Sequence, residues 1–134
     1  MAMYSNPGEQ YKQQSAMTAS PGELTLMLYD GCIKDLKLAK LYIDEKDVEK
    51  ANDASQKAQA IIGELMRTLD TRYEIGTQLL ALYDFILDIV VRSNVQKEIE
   101  LIDQAIGYIT ELRDSWKEAV QTNRKEMFGS QKAI

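Results

Sequence analysis

The sequence predicts an all-α protein, an antiparallel up-down-up-down four-helix bundle with an N-terminal arm. Three observations lead there. Proline occurs only at positions 7 and 21, so everything beyond Pro21 is open to long helices. Apolar residues recur with a helical period, without the strict alternation of strands. Four such stretches of ~20–30 residues are joined by short polar connections, which favour antiparallel neighbours.

Residues 1–19 read as a flexible polar arm with Tyr4, Tyr11 and Met17 as scattered apolar points. The first helix has a strong start signal. Ser20 suits the N-cap, Pro21 suits the first helical position, and Glu23 completes a capping box. This helix is expected to reach about Lys46. A charged Asp44–Asp47 connection follows, and Asp47 is placed to cap the second helix. That helix, roughly 48–70, carries Ala51, Ala54, Ala58, Ile62 and Leu65 on one stripe, with its charges opposite. Its alanines invite close approach by a neighbour. The third helix is expected over 74–93, closed by Asn94. The fourth is expected over 97–127, with Trp116 as a core anchor near one end and Arg113 at the edge of the stripe. The bundle domain is assigned to 20–128, and residues 129–134 read as a frayed tail.

Two helices carry more apolar surface than a small bundle can cover. At ~100° per residue, the main stripe of the third helix holds Ile75, Leu79, Leu82, Tyr83, Ile86, Ile89 and Val90. A second stripe of Leu80, Leu87 and Val91 lies beside it, and Phe85 widens the other edge. On the first helix, Leu24 and Met27 lie to one side of the stripe through Leu28, Cys32 and Leu36. Surplus apolar surface marks a partner site. Tyr11, Met17, Leu24, Met27, Leu80, Tyr83, Leu87 and Val91 are the candidate partner-binding residues, with Leu80 and Leu87 expected to be exposed.

Composition excludes other classes. The chain of 134 residues has a net charge of −5 and no histidine. There is thus no imidazole base and no His metal ligand. Cys32 is the only cysteine, which precludes an internal disulfide and a multi-cysteine zinc site. It lies on the main stripe, where a buried inert thiol is expected. Asp84 and Asp88, one turn apart, read as a solvated face. Gly31 and Gly76 read as points of close helix packing. No nucleophile, base and oxyanion site assembles, so no catalytic residue, metal or cofactor is expected. An acidic chain is a poor partner for nucleic acid or an anionic membrane. No run approaches the ~20 apolar residues of a membrane span. The polar first residues lack the apolar core of a secretion signal, so a cytoplasmic location is expected.

Five stretches carry a family resemblance. They are Tyr11–Gln14, the run Ser20-Pro21-Gly22-Glu23-Leu24-Thr25-Leu26-Met27-Leu28-Tyr29-Asp30-Gly31-Cys32, Lys57–Leu65, Leu82-Tyr83-Asp84-Phe85, and Leu112–Ala119. In this order they resemble the flagellar secretion chaperones of the FliS family over nearly the whole chain. One departure is Thr71-Arg72-Tyr73-Glu74 before the third helix, where members often place glycines. The resemblance implies a cytoplasmic chaperone that binds the disordered C-terminal region of flagellin in apolar grooves. It implies that binding prevents premature polymerisation and assists delivery to an export apparatus component. It also implies an arm lying where the client binds. A monomer or weak homodimer is expected. A helical adaptor dimerising through the same stripes is the alternative, and a concentration-dependent mass without flagellin binding would distinguish it.

Overall fold

A computed structural model describes residues 20–132, with side chains described to Asn123. Four helices follow in order: α1 Pro21–Asp44, α2 Val48–Arg67, α3 Glu74–Gln96 and α4 Ile99–Lys132. Each helix packs against the next, and α4 returns to α1. The four therefore close a ring around one core, as an antiparallel bundle with short connections should. The expected fold class is the observed one.

Local chemistry sets the starts of the first two helices. The Glu23 N–H donates to Ser20 Oγ at 3.2 Å, and the Ser20 N–H donates to Glu23 Oε2 at 3.4 Å. The capping box ahead of α1 is thus complete. At the start of α2, the Lys50 N–H donates to Asp47 Oδ1 at 3.1 Å.

The ends differ from expectation. The first helix stops at Asp44, and Lys46 turns the chain in the left-handed region at φ 60°. The second stops at Arg67, where the Thr68 hydroxyl donates to the Leu65 carbonyl at 2.8 Å and competes with the next helical turn. Asn94 does not close α3. The helix runs to Gln96, and Lys97 caps it with φ 55°. Lys97 Nζ donates to the Asn94 carbonyl and to Asn52 Oδ1, each at 2.6 Å, so its side chain holds the turn against α2. The last helix extends to Lys132, past the expected end near Met127. A lone glycine, Gly129, costs ~1 kcal/mol and does not by itself stop a helix.

The core is built from the predicted stripes. Cys32 and Leu36 of α1, Ala58 and Ile62 of α2, Ile86 and Val90 of α3, and Ala105 and Ile109 of α4 have no measurable exposure. Pairing is most extensive between α1 and α2. The alanines allow it: the Cys32 thiol reaches the Ala58 carbonyl at 4.0 Å. Ile75 leaves its stripe and is exposed, because the first turn of α3 stands beyond the packed layers. A Cβ at Gly31 would meet only the side-chain tip of Ile61 of α2, at 3.4 Å, so the crossing there does not demand glycine, whereas Gly76 faces the α2–α3 loop. The expected helix-packing role of Gly76 is therefore corrected to a loop contact.

Among the described residues, no helix is long and apolar enough to cross a membrane.

Candidate functional site

Antiparallel topology brings the start of α1, the end of α2, the start of α3 and the later part of α4 to one end of the bundle. There the helices leave an open cavity of about 690 Å³. Pro21, Leu24, Met27 and Leu28 come from α1. Leu65 comes from α2, and Leu69 from the segment after it. Leu79 and Tyr83 come from α3 and Trp116 from α4. Leu24 is exposed at the rim, and Tyr73 and Ile75, 64% and 63% exposed, stand at the same end. The walls are aliphatic and aromatic, and Glu64 is the one ionisable carboxylate among the lining residues. It pairs with Arg67 one turn along α2.

The remaining side-chain polar groups in the walls bond to the protein itself. Trp116 Nε1 donates to the Gly22 carbonyl at 2.8 Å and ties α4 to the first turn of α1. The Thr25 hydroxyl donates to the Pro21 carbonyl at 3.2 Å, and that of Thr68 to the Leu65 carbonyl. Tyr29 and Tyr83, both buried, form the floor and share a hydrogen bond between their hydroxyls. Burial raises both phenol pKa values, so both groups stay protonated.

The structure splits the predicted site residues. Leu24 and Met27 wall this groove, and Tyr83 lies in its floor. Tyr83 was expected to offer surface to a partner, yet only 2% of it is exposed. It lies on the main stripe, so its ring packs inward against Tyr29 at a centroid distance of 6.4 Å. Leu87 and Val91 line a separate depression on α3 with Ala81, Asp84, Phe85 and Asp88. Leu80 and Leu87 are half-buried rather than exposed, and Leu87 packs against the core. Phe85 carries this depression, in which apolar side chains alternate with the Asp84 and Asp88 carboxylates, toward α4, with its ring edge-on to Tyr108 at 5.5 Å. Tyr11 and Met17 lie outside the described residues. Asp84 and Asp88 are exposed, and Asp88 pairs with Arg92 at 3.0 Å. Arg113 meets Asp30 of α1 at 3.1 Å and Asp114 at 2.7 Å.

Sequence reasoning missed Leu28, Leu69, Leu79 and Trp116 as groove walls. The available signal was topological. In an antiparallel bundle, the start of the first helix and the later part of the fourth share an end.

Reactive chemistry is absent from this groove. Burial, reinforced by the nearby Asp35 charge, pushes the Cys32 thiol from an ordinary 9.0 up to about 12. Between those values the unfolded chain ionises and the native chain does not, so this group lowers stability as pH rises above 9. Native Cys32 is expected to resist a thiol reagent at pH 8 while the urea-unfolded chain reacts completely. Equal labelling rates in the two states would refute a sealed, protonated thiol.

A helical bundle with an open, largely apolar groove offers a docking surface for a protein partner. Comparison with known proteins gives the class a family. Residues 4–123 match the family described as flagellar protein FliS. The flagellar secretion chaperone FliS of Bacillus subtilis (strain 168) is 42% identical over 125 residues, covering 93% of this chain and 94% of that protein. That of Salmonella typhimurium is 30% identical over 109 residues, covering 79% and 81%. A crystal structure of a bacterial flagellar chaperone superimposes with a TM-score of 0.71 at 22% identity. It covers 87% of this chain and 99% of that one, and supports the fold. This chain belongs to the FliS family of flagellar secretion chaperones. Its role is that of a chaperone in flagellar export, not of an enzyme.

Proposed function

We propose that the chain is a cytoplasmic chaperone that binds the disordered C-terminal region of flagellin. The groove walled by Leu24, Met27, Leu28 and Trp116 receives apolar side chains of that segment. The single observation carrying this reading is the open apolar cavity, about 690 Å³ in volume, at one end of the bundle. Holding the segment there keeps it from pairing with other flagellin molecules before export. The folded chaperone then accompanies its client to a component of the export apparatus. The depression lined by Phe85, Leu87 and Val91, with Asp84 and Asp88 at its sides, offers a second, mixed contact to a client long enough to reach both.

Disordered clients suit such a surface. They order on binding and wrap separated patches, at a cost in conformational entropy that apolar burial offsets. Titration calorimetry with a flagellin C-terminal peptide is expected to give about one-to-one binding. The heat-capacity change should be negative, and affinity nearly insensitive to salt, since apolar burial dominates. No heat across several peptide lengths and temperatures, together with an unchanged native mass, would overturn this reading.

A further inference from the structure

We infer that the Tyr29–Tyr83 hydroxyl pair donates a hydrogen bond to a main-chain carbonyl of the segment docked in the groove. This rests on reading the groove as a docking site, and it adds a polar selection rule to a site otherwise apolar.

The argument is a count of protons. Two neutral phenols carry two protons. The hydrogen bond between Tyr29 and Tyr83 uses one of them, whichever hydroxyl donates. Among the described residues, neither hydroxyl makes a second hydrogen bond. The neighbouring polar groups are already engaged: the Gly22 carbonyl by Trp116, the Pro21 carbonyl by Thr25, and the Leu65 carbonyl by Thr68. Both tyrosines are 2% exposed, and both line the groove. A donor in that position is satisfied by water when the groove is open. When an apolar segment displaces the water, the donor needs an acceptor from the segment, or its desolvation opposes binding.

The acceptor's chemistry follows from the walls. A carboxylate would enter an apolar cavity beside Glu64, without a cation in the lining to pair with. A neutral carbonyl meets neither objection. Carbonyls with both lone pairs free belong to an extended stretch or to the last turn of a helix, and a carbonyl inside a helix can still take a second donor, as that of Gly22 does from Trp116.

Tyr29→Phe together with Tyr83→Phe tests this. Removing both partners of a buried hydrogen bond while keeping their shape leaves stability nearly unchanged. The melting temperature should therefore hold within a few degrees. Affinity for the flagellin C-terminal peptide should fall about three- to tenfold, the worth of one hydrogen bond. Affinity within twofold of the native chain, in a folded double variant, overturns the inference and leaves the docking reading intact. If the native chain itself does not bind the peptide, both fall. Should the double variant not fold, a crystal structure of the native chain with the peptide decides. A peptide carbonyl within hydrogen-bonding distance of either phenol upholds the inference, and only apolar atoms facing both phenols overturn it.

Discussion

Replacing Leu24 and Met27 together by glutamate is expected to weaken binding of a flagellin C-terminal peptide by at least about a hundredfold, or ~2.7 kcal/mol, while the bundle stays folded. Burying an aliphatic side chain in an interface stabilises by ~1.5–3 kcal/mol. Two are lost here, and each new carboxylate must also be desolvated or must hold the client away. Folding should suffer little. Leu24 is exposed at the rim, Met27 is half-buried in the wall, and neither belongs to the buried core. Glutamate is a good helix former. Leu24 also lies near the start of α1, where negative charge is favourable. Leu41→Glu is the control. Leu41 is exposed on the same helix but lines a different depression, beside Ile33 and Arg113. Calorimetry on the three proteins, with circular dichroism to confirm helicity, reads the result. A folded double variant that binds within threefold of the native chain would remove this groove as the docking site.

The largest effect on stability is expected from Gly76→Ala. A Cβ at this position would lie 2.0 Å from the backbone oxygen of Asp70 and 2.8 Å from its carbonyl carbon. Neither is the yielding tip of a side chain. The loop that carries them is held: Asp70 Oδ1 accepts from the Arg72 N–H at 3.0 Å, and its carboxylate accepts from the Arg72 guanidinium at 2.7 Å. Displacing it costs more than alanine's helix propensity returns, a gain of ~1 kcal/mol. Overpacking typically costs 1–3 kcal/mol and occasionally more. With backbone as the obstacle, we expect a net loss of about 2–3 kcal/mol and a melting temperature lower by roughly 5–15 °C. Gly63→Ala should do the opposite. It lies within α2 with nothing inside 4 Å of a new Cβ, so the better helix former should stabilise by up to ~1 kcal/mol. Thermal melts of the two variants should therefore move in opposite directions. Equal shifts would refute the close approach at Gly76.

Much of the candidate site was visible along the chain, in uneven ways. Leu24 and Met27 stood out because they widen an already sufficient stripe on α1, and they do wall the groove. The same argument gave Leu80 and Leu87, which are half-buried. Periodicity reports which side of a helix a residue occupies, but not how far a neighbour reaches around that side. Tyr83 shows the limit most clearly. It was counted among the partner-binding candidates although its stripe position pointed inward. It proves to lie in the floor of the groove, buried and bonded to a residue on another helix.

The amino-acid sequence by itself determined the four helices, the capping box at Ser20 and Glu23, the Asp47 cap, the inward stripes and the family. All of these depend on residues a few positions apart, or on the linear order of motifs, and that chemistry acts at short range whatever the rest of the chain does. The tertiary structure alone decided the groove's outline, the Tyr29–Tyr83 floor, the Trp116 link to Gly22 and the close approach of Gly76 to Asp70. The first three join separate helices, and the last depends on how the α2–α3 loop folds back. Such contacts depend on interhelical spacing and loop path, which are set only when the whole core packs and which no local pattern encodes.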